Sequence, residues 1–222
     1  MVQAKIKNII ILGSSGGCLD ILGLIEDINK KSKRYNFLGF LDDNFRKNDK
    51  KFKKFLLGSF SDIKKFKNAY FATAIGNETN FTNKEKIFKK LNIKKNKFIT
   101  LIHPSVIIED NVKIGYGSII HNGTYIGRNS TIGNNVVILP KNIISHDCII
   151  KDFTIVNSGC ILSGNVKIYK NCYIGAGANI RDHVIIKSKI LLGMGSVVLN
   201  DLKTKSSVYF GSPTKYIKKI KL

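Results

Sequence analysis

From Ile102 to Val198 every sixth residue is aliphatic, without a gap. The series runs Ile102, Ile108, Ile114, Ile120, Ile126, Ile132, Ile138, Ile144, Ile150, Val156, Leu162, Ile168, Ile174, Ile180, Ile186, Leu192, Val198. An α-helix repeats at about 3.6 residues and a strand at about 2, so neither alone yields a strict period of six. A parallel β-helix does, because each short strand and the corner after it consume one hexapeptide. Three hexapeptides close one triangular coil, so the 96 residues from Ile102 to Val197 predict about five coils. Gly115, Gly127, Gly133, Gly175 and Gly193 each follow an anchor, where the missing Cβ is expected to relieve strain at the corners. No insertion interrupts the repeat. A site on it must therefore be built from flat faces, turns and whatever precedes it. After Val198 the chain leaves the pattern, and the basic tail Tyr216 to Leu222 is expected to cap the open end.

The first half reads differently. Asn8 to Leu12 is a short apolar run, the mark of a buried strand in a parallel sheet. It enters Gly13-Ser14-Ser15-Gly16-Gly17, after which Leu19, Ile21, Leu22, Leu24, Ile25 and Ile28 recur at helical spacing. A glycine-rich turn at a helix start lets backbone N–H groups approach a phosphate. Ser15 occupies the place of the second glycine in the dinucleotide fingerprint, and taken alone the segment reads equally as a tight turn. Phe37 to Leu41 is a second strand ending at Asp42-Asp43, and Ala69 to Ile75 a third ending at Gly76-Asn77. Strand ends in open parallel sheets face the ligand crevice, where an acidic pair can hold ribose hydroxyls or a base. Lys84 to Leu91 reads as a helix, and Phe98 to Ile102 leads into the repeat. The segment is too short for a full dinucleotide fold and suits a mononucleotide. The expected division is a Rossmann-like α/β nucleotide-sugar-binding domain at 1–100 and an all-β solenoid at 101–222.

Composition narrows the classes. No apolar stretch reaches the roughly 20 residues of a membrane span, and Met1 to Lys7 does not read as a signal peptide; a cytoplasmic protein without membrane insertion is expected. The net charge of +22 invites a nucleic-acid reading. Its lysines are scattered, with local runs such as Lys50 to Lys54 and Lys64 to Lys67, and no zinc-finger or aromatic RNA-binding signature accompanies them. No nucleic-acid partner is expected, although the charge can attract an anionic nucleotide. Cys148, Cys160 and Cys172 are spaced by 12 and each lies four residues past an anchor. That spacing fits small residues filling the solenoid interior better than metal ligands, so no metal is expected.

The histidines number four: His103, His121, His146 and His183. His103 precedes Pro104 at the domain junction and reads as structural. His121 and His183 fall at turns, without evident partners nearby in the sequence. His146 lies two residues past the anchor Ile144, at the outer surface, beside Asp147. Histidine is the side chain best suited to act as general base near neutral pH, and an adjacent carboxylate raises its basicity and fixes its tautomer.

Taken in order, Gly-Ser-Ser-Gly-Gly, Phe-Leu-Asp-Asp, Ala-Ile-Gly-Asn, His-Asp, Gly-Asn-Val-Lys-Ile and Gly-Ser-Pro-Thr-Lys form one series over nearly the whole chain. The chain resembles the sialic acid O-acetyltransferase and bacillosamine N-acetyltransferase (NeuD/PglD) family of hexapeptide-repeat enzymes. The resemblance implies a left-handed parallel β-helix, acetyl-CoA as co-substrate, a nucleotide-linked amino sugar as acceptor, and a homotrimer with sites between neighbouring β-helices. It implies His146 as general base supported by Asp147. Ser15, Gly16 and Gly17 would bind the nucleotide phosphates, Asp42 and Asp43 the nucleoside, and Gly76 would abut it. Ala176 and Met194 match positions lining the CoA arm, and Lys215 lies near its nucleotide end. Relatives often carry a second histidine nine residues past the first, near the acetyl group; here that position is Ile155. The turn that often reads Ser-Gly-His-Gly is Ser15-Gly16-Gly17-Cys18. The reading is acetyl transfer to a nucleotide-linked amino sugar, with a 4-amino-4,6-dideoxy sugar favoured. The alternatives are sugar O-acetylation, a non-catalytic sugar-nucleotide-binding solenoid, and a β-helical zinc enzyme needing three histidines.

Overall fold

The apolar run after Lys7 becomes the middle of a parallel sheet. The computed structural model describes residues 6–14, 16–43 and 53–220. Strands β1 (Lys7–Leu12), β2 (Tyr35–Leu41), β3 (Leu56–Gly58) and β4 (Tyr70–Thr73) pair in the order β3-β2-β1-β4. Helix α1 (Gly16–Lys31) follows β1, and α2 (Lys84–Leu91) follows β4. Alternate β1 residues feed two cores: Ile9 and Ile11 pack with Ile21, Leu24 and Ile25 of α1, while Ile10 and Leu12 pack with Phe88 and Leu91 of α2. Burial on both faces explains why β1 shows no polar alternation. β3 is absent from the reading above. It is a three-residue, half-buried edge strand, too short to register as a period.

From Leu101 the chain winds through seventeen two-residue strands. They stack on three faces, beginning at Leu101–Ile102 (face I), Ile107–Ile108 (face II) and Lys113–Ile114 (face III). Together they make a left-handed parallel β-helix. Each strand is an outward residue followed by an inward anchor: Ile143 is exposed and Ile144 fully buried. Backbone groups bond one coil on, as in Ile143 N–H to the Cys160 carbonyl and Ser145 N–H to the Leu162 carbonyl, both 2.9 Å. The cysteines fill the interior as expected. Burial pushes the Cys148 and Cys160 thiols up to about 11 and Cys172 to about 12.

The corners need one correction. Every sixth residue from Asn111 to Gly195 has a positive φ, including Asn129, Lys141, Asp147 and Phe153. The glycines that follow the anchors lie two positions before these and are not among the positive-φ residues. They are small because coils approach closely. A Cβ on Gly127 would come within 2.7 Å of the His146 nitrogen, and one on Gly115 within 2.6 Å of the Gly133 carbonyl carbon. Inter-coil sterics, not corner conformation, select glycine there.

The C-terminal end is also closed differently from expectation. Ser207–Phe210 extends face I beside Leu191–Leu192, Leu202 bridges to Ile186, and Tyr209 packs into the solenoid core. The tail strand Lys215–Lys219 only pairs with this closing strand, and Tyr216 and Ile217 stay half exposed. Residues 221–222 of the tail lie outside the described residues.

The α/β domain sits on face I. Leu101 and Ile119 belong to the α1 core, and the Phe88 ring meets Phe153 at 5.3 Å. His103 braces the junction, with Nε2 3.4 Å from Asp27 of α1. Among the described residues face II is uncovered: Ile107, Ile143 and Ile161 point outward and exposed.

Candidate active site

The corner after face II carries a ladder of side chains one coil apart. Asn111 Nδ2 donates to Asn129 Oδ1 at 3.2 Å, and Asn129 Nδ2 donates to Asp147 Oδ1 at 3.2 Å. All three have positive φ, which short Asn and Asp side chains tolerate best. The other oxygen of Asp147 lies 2.7 Å from His146 Nδ1. A carboxylate only accepts, so Nδ1 carries a proton, and in the neutral ring Nε2 is the nitrogen with the lone pair. Hydrogen bonds from His146 and then Asn129 hold the Asp147 carboxyl below the usual carboxylate range. The imidazole is 62% exposed. It lies flat over Gly164 of the next coil, where a Cβ would come within 2.7 Å of both Cε1 and Nε2. Gly164 opens the Gly-Asn-Val-Lys-Ile segment, but its place under the ring is not legible in sequence, because 18 residues separate it from His146 and become one coil only on stacking.

A second assembly lies at the carboxyl ends of β1, β2 and β4. Gly13 N–H bonds to the Leu41 carbonyl and Ala74 N–H to the Leu12 carbonyl, both 2.8 Å. Asp42 accepts hydrogen bonds from the Ser14 N–H at 2.7 Å and from the Ser14 hydroxyl, bracing the glycine-rich turn. Asp43 accepts the Phe60 N–H at 2.8 Å. Gly16 and Gly17 open α1; Ser15 lies outside the described residues. Gly76, at φ +129°, ends this edge, and a Cβ on it would come within 2.7 Å of Ile155 Cδ1. The structure thus brings Gly17, Gly76 and Ile155 around one cavity of about 170 Å³, closed on its far side by face I.

His121 lines that cavity and is only 5% exposed. The turn assigned to it in sequence is a buried wall. Burial pushes the imidazole below its ordinary value, with Asp20 opposing. His183 does have a neighbour, Asp182, at 3.7 Å, on an exposed corner. Lys84 is fully buried behind Gly76 and donates to the Asn135 carbonyl at 3.0 Å. Burial alone pushes its ammonium down to about 7.

Ala176 and Met194 stack one coil apart on the corner after face I, joined by the Gly195 N–H to Ala176 carbonyl bond of 2.8 Å. Both are exposed, Met194 by 71%. Lys215 pairs with Phe210 beside them, and the Phe210 ring covers Gly193. Within one chain, then, Ala176, Met194 and Lys215 share one edge, the cavity lies on the same edge nearer the N-terminus, and His146 stands at the next corner. Among the described residues no group of three His, Cys, Asp or Glu is placed to hold a metal, and no helix is long and apolar enough to cross a membrane.

The family model for the PglD N-terminal domain matches residues 8–91. The bacterial transferase hexapeptide (six repeats) matches 105–140, and the hexapeptide repeat of succinyl-transferase matches 165–200. No curated protein sequence matches. Solved structures share the whole fold. The acetyltransferase domain of PglB from Neisseria gonorrhoeae FA1090, in complex with acetyl coenzyme A, superposes with a TM-score of 0.81 at 22% identity, over 96% of this chain and 100% of its own. A mutant perosamine N-acetyltransferase from Caulobacter crescentus, in complex with CoA and GDP-perosamine, gives 0.79 at 20% identity, covering 97% and 99%. WeeI from Acinetobacter baumannii AYE gives 0.77 at 23%, covering 95% and 100%.

Proposed function

We propose that this chain, a PglD-type N-terminal domain joined to a transferase hexapeptide solenoid, is an acetyl-CoA-dependent N-acetyltransferase of a nucleotide-linked amino sugar. The observation that carries the reading is the His146–Asp147 pair: an exposed imidazole with one nitrogen tied to a carboxylate and the other free to accept a proton. The solved relatives bind acetyl-CoA, or CoA with GDP-perosamine, on the same fold, which supports the donor and the class of acceptor. A 4-amino-4,6-dideoxy sugar remains the favoured acceptor, and residues 1–100 and 101–222 the two working domains.

A homotrimer completes the site. The apolar stripe of Ile107, Ile143 and Ile161 on face II is exposed among the described residues. It lies between the corner bearing the cavity and the CoA residues and the corner bearing His146. Packing such faces around a threefold axis along the solenoid brings one subunit's His146 corner toward the next subunit's cavity corner. That symmetry leaves heights unchanged. His146 then stands level with Leu139 and Asn157 at the cavity wall. Ala176 and Met194 lie about one and two coils beyond Asn157, with about 4.8 Å per coil.

In the cleft so formed, Gly16 and Gly17 with the adjoining Ser15 hold the phosphates, Asp42 and Asp43 the nucleoside, and Gly76 admits the chain of the ligand. Ala176, Met194 and Lys215 hold CoA, with Ile155 near the acetyl position. The acceptor amine attacks the thioester carbonyl carbon as His146 Nε2 takes its proton. A solenoid N–H stabilises the oxyanion. The C–S bond then breaks, and the thiolate leaves with the proton returned by His146. Holding both reactants together supplies much of the rate. The buried thiols, all raised, take no part. Such work belongs in the cytoplasm, where acetyl-CoA and nucleotide sugars are held.

The test is free-thiol release from acetyl-CoA against UDP-, dTDP- and GDP-linked 4-amino sugars, with sialic acid as a hydroxyl control. Turnover on one amino sugar is expected. Turnover on the hydroxyl alone moves the enzyme to O-acetylation, and none at all contradicts catalysis.

A further inference from the structure

Two polar side chains at the domain-junction cavity, Thr73 and His121, make no side-chain hydrogen bond among the described residues. Thr73 Oγ1 is buried and finds no hydrogen-bond partner among the described residues. The His121 ring, 5% exposed, lines the same cavity, and the charges acting on it are Asp20 and His103, with opposite effects. Buried polar groups are nearly always satisfied; Thr73 Oγ1 is sealed from solvent, whereas the His121 ring lines the cavity and is open to a hydrogen bond from whatever fills it. The remaining wall is apolar, including Ile75, Val137 and Ile155. A space of about 170 Å³ falls below the ~300–1,000 Å³ of pockets that enclose a drug-sized ligand. It takes one ring, not a nucleotide.

We infer that His121 is a specificity-determining residue that reads the sugar ring of the acceptor, with a ring hydroxyl on the imidazole and the deoxy carbon on the isoleucine wall. Gly17 at one rim places the phosphates of the same ligand on the helix start. The inference deepens the acetyltransferase reading and rests on it for the identity of the ligand. The role of His121 differs from that of His146. His121 selects the ring, is buried, and lacks a carboxylate relay; it needs to transfer no proton.

The test uses the whole protein with 13C-labelled histidine, the His121 resonance being assigned by its loss in His121→Gln. UDP, dTDP and GDP are added alone, then as their 4-amino-4,6-dideoxyhexose conjugates. One conjugate is expected to shift the His121 resonance while its bare diphosphate leaves it in place. Kinetically, His121→Phe is expected to raise the acceptor KM about tenfold, the loss of one hydrogen bond to a buried group, with the KM for acetyl-CoA unchanged; His121→Gln is expected to restore most of that loss. The inference is overturned if no conjugate moves the resonance, if the bare diphosphate moves it equally, or if His121→Phe leaves the acceptor KM unchanged. A shift without thiol release keeps the ring site and removes the acetyl-transfer reading. Thiol release without a shift does the reverse.

Discussion

Two imidazoles on one solenoid sit in opposite surroundings. His146 stands on an open corner, bonded through Nδ1 to Asp147 and lying on Gly164. His121 is walled in at the domain junction, its ring lining the cavity without a carboxylate bonded to it among the described residues. The contrast separates two demands that a transferase makes of histidine. A proton acceptor needs an oriented lone pair and access to reactants. A recognition group needs burial, so that the wrong ligand leaves it unsatisfied. One hexapeptide frame can present both, because residues one (His121) or two (His146) positions past an anchor face either the neighbouring domain or open space.

Breaking that contrast on the His146 side has the larger effects. Asp147→Asn keeps the shape but loses the charge that fixes the tautomer; kcat is expected to fall about 10–100-fold, with acetyl-CoA affinity unchanged by calorimetry. Gly164→Ala puts a methyl where the imidazole lies. The ring is the movable end of a side chain, so the expected result is a displaced base, about tenfold lower kcat from misplacement, and an unchanged melting temperature. Gly127→Ala sharpens the point, because its Cβ meets the His146 backbone rather than the ring. Here stability is expected to drop by about 1–3 kcal/mol, read by denaturant unfolding. Smallest in its effect on activity is Lys84→Met behind the cavity. The folded pKa of Lys84, about 7, lies below its ordinary 10.5. The unfolded chain therefore binds the extra proton between those values, and stability rises with pH across that window. Lys84→Met is expected to remove that rise without changing kcat at pH 7.

The periodic parts of the molecule were legible and the stacked parts were not. The six-residue aliphatic series gave the strands, the anchors and the buried cysteines, because each follows from a local alternation of inward and outward side chains. His146 with Asp147 could be read since the pair is adjacent in sequence. Gly164 beneath it, Asn129 beside it and the wall built by His121 could not. Each is brought into place by coil stacking at 18 residues or by the docking of a second domain. The glycines after the anchors were visible but misread, since sequence alone does not distinguish a strained φ from a close neighbour. β3 left no signal in three half-buried residues.

The most direct measurement is the single-turnover rate of acetyl transfer by His146→Ala on the amino sugar that the native enzyme accepts, with acetyl-CoA affinity measured on the same sample. The rate is expected to fall by about 10²–10⁴, the contribution of a general base, with acetyl-CoA binding intact. An undiminished rate would show that the imidazole on the open corner does not take the proton.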